Sequence, residues 1–120
     1  MEPPIQDGHV LSGEFAAETP PYLRVVRDGA ARFAIAGNTT RSIGVQASQE
    51  TVAANGRGSV RLHQVGTTVM EAAGAIAVGA EVFAAAGGRV AAAGSVSEGV
   101  ALTAASAAGE RIEVCTASRS

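Results

Sequence analysis

Residues 71–88 read EAAGAIAVGAEVFAAAGG, and two opposite structures compete for them. Alanine is the strongest helix former, so composition alone argues for a helix. Gly74, Gly79, Gly87 and Gly88 argue against it, because each costs about 1 kcal/mol relative to alanine in a helix interior. The stretch is therefore expected to form short strands separated by glycine turns.

The same pattern holds outward from it in both directions. From Tyr22 onward the chain runs YLRVV, RFAIA, RSIGVQA, SVRLHQV, TVMEA, AIAV, EVFAA, RVAAA, GVALTA and RIEVCT, punctuated mostly by Gly or Asn. Short β-branched runs at this spacing predict an all-β protein. In SVRLHQV, Val60 and Leu62 alternate with Arg61 and His63, and in RIEVCT, Ile112 and Val114 alternate with Arg111, Glu113 and Cys115; a period of two marks half-buried strands. The expected fold is a small β-sandwich or β-barrel of short strands with an extended N-terminal arm and at most one short helix, between Gln49 and Ala54. Two β-units are also suggested. FAIAG at 33–37 recurs as FAAAG at 83–87, each is followed by a Gly-Val step (Gly44-Val45, Gly99-Val100), and each half closes on a glycine-led alternating strand, GSVRL or GERIEV.

Residues 1–21 differ from residues 22–120, the expected β-domain. Pro3, Pro4, Pro20 and Pro21 are all the prolines of the chain. Proline fixes φ and removes a ladder donor, so this segment can follow a surface or join a sheet edge but cannot lie mid-sheet. Its apolar residues Ile5, Val10, Leu11 and Phe15 are too irregularly spaced for a helix face. It reads either as a loose terminus or as an extended arm whose apolar side chains bind a partner.

At 120 residues a single domain with one modest core is expected. Hydrophobic residues make up 47%, yet there are only three Phe, one Tyr and no Trp, so the core is thin and subunit contacts are a plausible supplement. A net charge of −2 offers no field for nucleic acid or an anionic membrane surface. All nine basic residues are Arg. Cys115 is the single cysteine, so no intrachain disulfide forms. The N-terminus lacks a signal-peptide pattern and no apolar run is long enough to span a membrane, which predicts a soluble protein made in a cytoplasm.

Chemistry has few candidates. Beyond the carboxylates there are His9, His63 and Cys115, which form no metal or nucleophile motif; both histidines read as solvated polar residues. NGRGS and AAGGRV read as β-turns, since no Lys exists to meet a phosphate. No enzyme activity, metal or cofactor is expected.

The stretch from Val78 to Thr116 resembles the small head-decoration, or capsid cement, proteins of tailed bacteriophages. The resemblance rests on the Gly-Ala-x-Val-aromatic strand at 79–83, the glycine hairpin and second strand at 87–90, the Gly-Val-Ala step at 99–101, the alanine-rich turn closing at Gly109 and the alternating strand at 112–114. It extends over 24–117. It implies a virion structural protein that binds the major capsid protein on the outer surface of the expanded head, as a homotrimer, and stabilises it against internal DNA pressure. The arm residues Pro3, Pro4, Ile5, Val10, Leu11, Phe15, Pro20 and Pro21 are then the expected capsid contacts. A phage tail, baseplate or host-surface binding β-module is the alternative.

Overall fold

A computed structural model describes residues 10–63 and 67–116. Ten strands form two five-stranded antiparallel sheets. The first holds β1 (Val10–Glu14), β2 (Arg24–Arg27), β3 (Phe33–Ile35), β4 (Gly44–Gln46) and β5 (Arg57–Leu62), in the order β1-β5-β4-β2-β3. The second holds β6 (Thr67–Glu71), β7 (Glu81–Ala84), β8 (Val90–Ala91), β9 (Ser97–Ala101) and β10 (Arg111–Cys115), in the order β6-β10-β9-β7-β8. The two orders are one topology used twice.

The duplication holds residue by residue. Parallel bridges join Phe15 to Phe33 and Ala72 to Val90, the second pair standing 57 positions after the first. Thr19 bridges Val52 as Ile76 bridges Ala105. Tyr22 and Gly79 hold the same place, donating to Gln46 O and Ala101 O, and both have positive φ, 68° and 85°. Gly44 and Gly99 are equivalent as well: a Cβ on Gly44 would strike the carbonyl of Arg61, and one on Gly99 that of Cys115. The paired Gly-Val steps therefore mark a close approach of two strands in each unit. The expected FAIAG/FAAAG match is out of register, because Phe33 opens β3 whereas Phe83 lies in β7, the counterpart of β2.

The single expected core is in fact two. Phe15, Val25, Phe33, Val52 and Val60 fill the first unit, with Phe15 and Phe33 ring centroids 5.3 Å apart. Met70, Ala72, Ile76, Val82, Val90, Ala101, Ala105, Ile112 and Val114 fill the second, joined by Val45 from the first. Small side chains suffice because each core lines only one face of a five-stranded sheet. The molecule measures 43 × 26 × 24 Å, long in one direction.

Three expectations need correction. No helix forms between Gln49 and Ala54, where a bridge at Val52 and a turn through Asn55 (φ 63°) occur instead; a 3-10 turn forms at Ala86–Gly88. AIAV is a single bridge rather than a strand. The boundary after Pro21 does not separate an arm from a domain. Val10 to Glu14 pair with β5 from Val10↔Arg61 to Glu14↔Arg57, and Phe15 is fully buried. The pattern VLSGE hid this strand because Gly13 supplies no side chain: Phe33 packs where its Cβ would stand.

Candidate functional site

The site is the junction between the two units. Leu23, Arg24 and Val25 are buried in succession, although side chains alternate faces along a strand. Val25 enters the first core, while Arg24 points at the second unit, so β2 is covered on both sides.

Arg24 and Glu98 form an ion pair at 2.8 Å with both side chains fully buried. Every guanidinium donor group is used. Nε donates to Arg89 O at 2.9 Å; Nη1 donates to Glu98 Oε2 and, at 3.3 Å, to Thr40 O; Nη2 donates to Ala85 O at 2.8 Å and to Gly37 O at 3.1 Å. Burial lowers the Arg24 pKa and Glu98 opposes that shift; arginine starts so high that the group stays charged. Glu98 Oε2 also accepts the Ser42 N–H at 3.0 Å and the Ser42 hydroxyl at 2.9 Å.

The network runs on to the surface. Ser42 Oγ lies 2.8 Å from His63 Nε2, and His63 Nδ1 lies 3.3 Å from Thr68 Oγ1. Since the Ser42 hydroxyl donates to Glu98, Nε2 carries a proton and donates to Ser42. A serine beside a histidine resembles a nucleophile and its base, but this serine is 2% exposed and the histidine proton points at it. Both residues belong to the first unit and reach the second separately, Ser42 through Glu98 and His63 through Thr68. His63, expected to be solvated, is half-buried at the seam.

Around this polar centre Arg111 stacks on the Tyr22 ring at 4.5 Å, Glu71 N–H donates to Tyr22 O at 3.3 Å, and Arg61 Nη2 donates to Thr67 O at 3.3 Å. Glu71 in turn pairs with Arg89 at 2.8 Å. Sequence reasoning missed Arg24 and Glu98. The signal was an arginine inside YLRVV, but a lone charge in a strand reads as outward unless a second layer is known to cover it.

The expected contact residues that are described are not all exposed. Pro3, Pro4, Ile5 and His9 lie outside the described residues. Val10 and Leu11 are half-buried in β1, Leu11 packing on the first core; Pro20 is exposed and Pro21 half-buried. Phe15 is unavailable to any partner, being fully enclosed against Phe33. Among the described residues no group of three His, Cys, Asp or Glu side chains could hold a metal ion, and no helix is long and apolar enough to cross a membrane.

Two β-units of one topology are thus joined across a buried ion pair. The sequence matches the phage cement protein family over residues 5–116, and the chain belongs to that family, which places it among the structural proteins of the bacteriophage head and associates it with the capsid. Among solved structures it is similar to the N base of the head fiber gp8.5 of bacteriophage phi29, with a TM-score of 0.75 and 15% identity, over 92% of this chain and 96% of that one. That likeness shows the fold. No curated protein matches the sequence significantly.

Proposed function

We propose that this chain is a non-enzymatic decoration protein that binds the major capsid protein on the outside of the expanded head, as a homotrimer, and stabilises the shell against the pressure of packaged DNA. Membership of the cement family carries the reading. The mechanism is linkage. A protein that binds the expanded lattice and not its alternatives favours that state by RT ln(1 + [L]/Kd) per site, about 2.7 kcal/mol when free protein is a hundredfold above Kd. Many sites multiply the effect.

The attachment is assigned to the segment before β1, with Pro3, Pro4 and Ile5, which can add to the sheet edge of a neighbouring chain. Undecorated expanded heads mixed with the protein should bind it to saturation in a pelleting assay and then withstand a higher temperature before releasing DNA. Heads that take up no protein, or that take it up and release DNA at the undecorated temperature, refute the function.

A further inference from the structure

The junction is one-sided, and both of its halves recur uncovered. Tyr22, Val45, Ala47 and Arg61 of the first unit line one groove with Thr67, Val69 and Glu113 of the second. β4 packs on β6, whereas their counterparts β9 and β1 have no comparable packing. Backbone bonds identify the equivalent positions: Ala47 donates to Ser59 O as Leu102 does to Glu113 O, and Val45 and Val100 follow the equivalent glycines Gly44 and Gly99. The trailing face of the second unit, at Val100 and Leu102, is thus the counterpart of the first unit's face at Val45, which the junction buries, and at Ala47, which stays exposed and lines the groove. The outer edge of β1, with Ser12 and Glu14, is likewise the counterpart of the β6 edge with Val69 and Glu71.

Both uncovered faces carry the marks of a contact. Val78 and Leu102, 64% and 44% exposed, are the large hydrophobic residues left in solvent among the described residues. They stand beside each other, because Gly79 N–H donates to Ala101 O. β1 is the edge strand of its sheet and brings half-buried Val10 and Leu11.

We infer that a second copy of this chain covers the trailing face: the β1 edge of one copy docks on Val78, Val100 and Leu102 of the next, repeating between chains the contact that joins the units within a chain. The inference deepens the trimer reading and rests on it. Such a head-to-tail contact uses two different patches, so it closes into a ring when the rotation between copies permits. It also differs from the internal junction in one respect. The position of Arg24 is Glu81 in the second unit and that of Glu98 is Ile43 in the first, so no buried ion pair forms between copies. Apolar contact replaces it, and the copies separate more easily than the units.

Cysteine pairing tests this on the full chain in a Cys115→Ser background. Val69 and Ala47 share the internal groove, and their counterparts are Ser12 and Leu102. The Ser12→Cys, Leu102→Cys double variant should give disulfide-linked multimers on oxidation, resolved on non-reducing gels. Leu102→Glu should weaken self-association about tenfold or more by sedimentation, with an unchanged melting temperature because the side chain is exposed. A wild-type oligomer whose double variant stays uncrosslinked, or a Leu102→Glu protein that associates like wild type, overturns the inference alone. Leu102→Glu that keeps its oligomeric state but no longer binds heads makes the face a capsid contact and overturns it too. A wild-type chain monomeric in solution and on heads refutes the trimer reading and this contact together.

Discussion

Glu98→Ala is the most informative single change in this molecule. It removes the carboxylate from a fully buried ion pair and leaves the Arg24 charge with backbone carbonyls as its remaining neighbours. It also strips the acceptor from the Ser42 N–H and hydroxyl. Breaking a buried pair on one side costs about 3–5 kcal/mol. At about 2.1 cal/mol/K per residue, the unfolding entropy of a 120-residue chain is near 250 cal/mol/K, so each kcal/mol lowers Tm by about 4 °C. The expected drop is about 12–20 °C, read as the loss of β-sheet circular dichroism on heating. Arg24→Met combined with Glu98→Leu removes both charges and keeps the volume, so it should regain most of the loss, and the coupling between the two changes should exceed 2 kcal/mol by double-mutant cycle. A single variant melting within about 3 °C of wild type, or a double variant no more stable than either single one, refutes the claim that the pair locks the units.

Phe15→Ala should cost about 3–5 kcal/mol, as for a large ring removed from a closed core; deleting residues 1–21 should unfold the first unit, while deleting residues 1–9 should leave the β-sheet signal intact and reduce head binding in pelleting assays. Gly44→Ala and Gly99→Ala should each destabilise by about 1–3 kcal/mol or more, because a Cβ at either position strikes a neighbouring carbonyl, and Gly99 also has φ 135°; denaturant midpoints check this. The Asp28 carboxyl is held below its ordinary pKa, chiefly by the Arg32 backbone N–H and further by that of Ala30 and the Arg32 charge. A depressed carboxylate stabilises fully above its unfolded pKa and loses that contribution as pH falls through the folded value, so the Ala30 and Arg32 amide resonances should shift together in acid, below about pH 4, and Asp28→Asn should abolish the transition.

Nine of the ten strands overlap the apolar runs seen in the sequence, because each has a glycine or polar turn beside it and alternates where one face meets solvent. Val60, Ile112 and Val114 point inward as their period of two requires. β1 was illegible for two reasons: VLSGE has a glycine where a core side chain belongs, and the four prolines drew attention to the segment as a whole. The duplication was legible at the Gly-Val steps, where geometry forbids any other residue, and misleading at FAIAG, where a common composition imitated homology. The junction could not be read at all. Arg24, Ser42 and Glu98 look like ordinary surface residues until a second sheet is laid over them, and nothing local in the chain announces that layer.

The Arg24 guanidinium also bears on mechanics. Its donors reach the loop at Gly37 and Thr40 on one side of the seam and Ala85, Arg89 and Glu98 on the other. A force that slides one sheet past the other must break these bonds together rather than in sequence, because they share one fully buried guanidinium. The group therefore behaves as a shear pin: stiff under a small load and brittle beyond it. A protein attached to a shell that strains under its contents would pass that strain through as a rigid block, so that any yielding is displaced to its contacts with neighbours, where bonds broken by a fluctuation can form again.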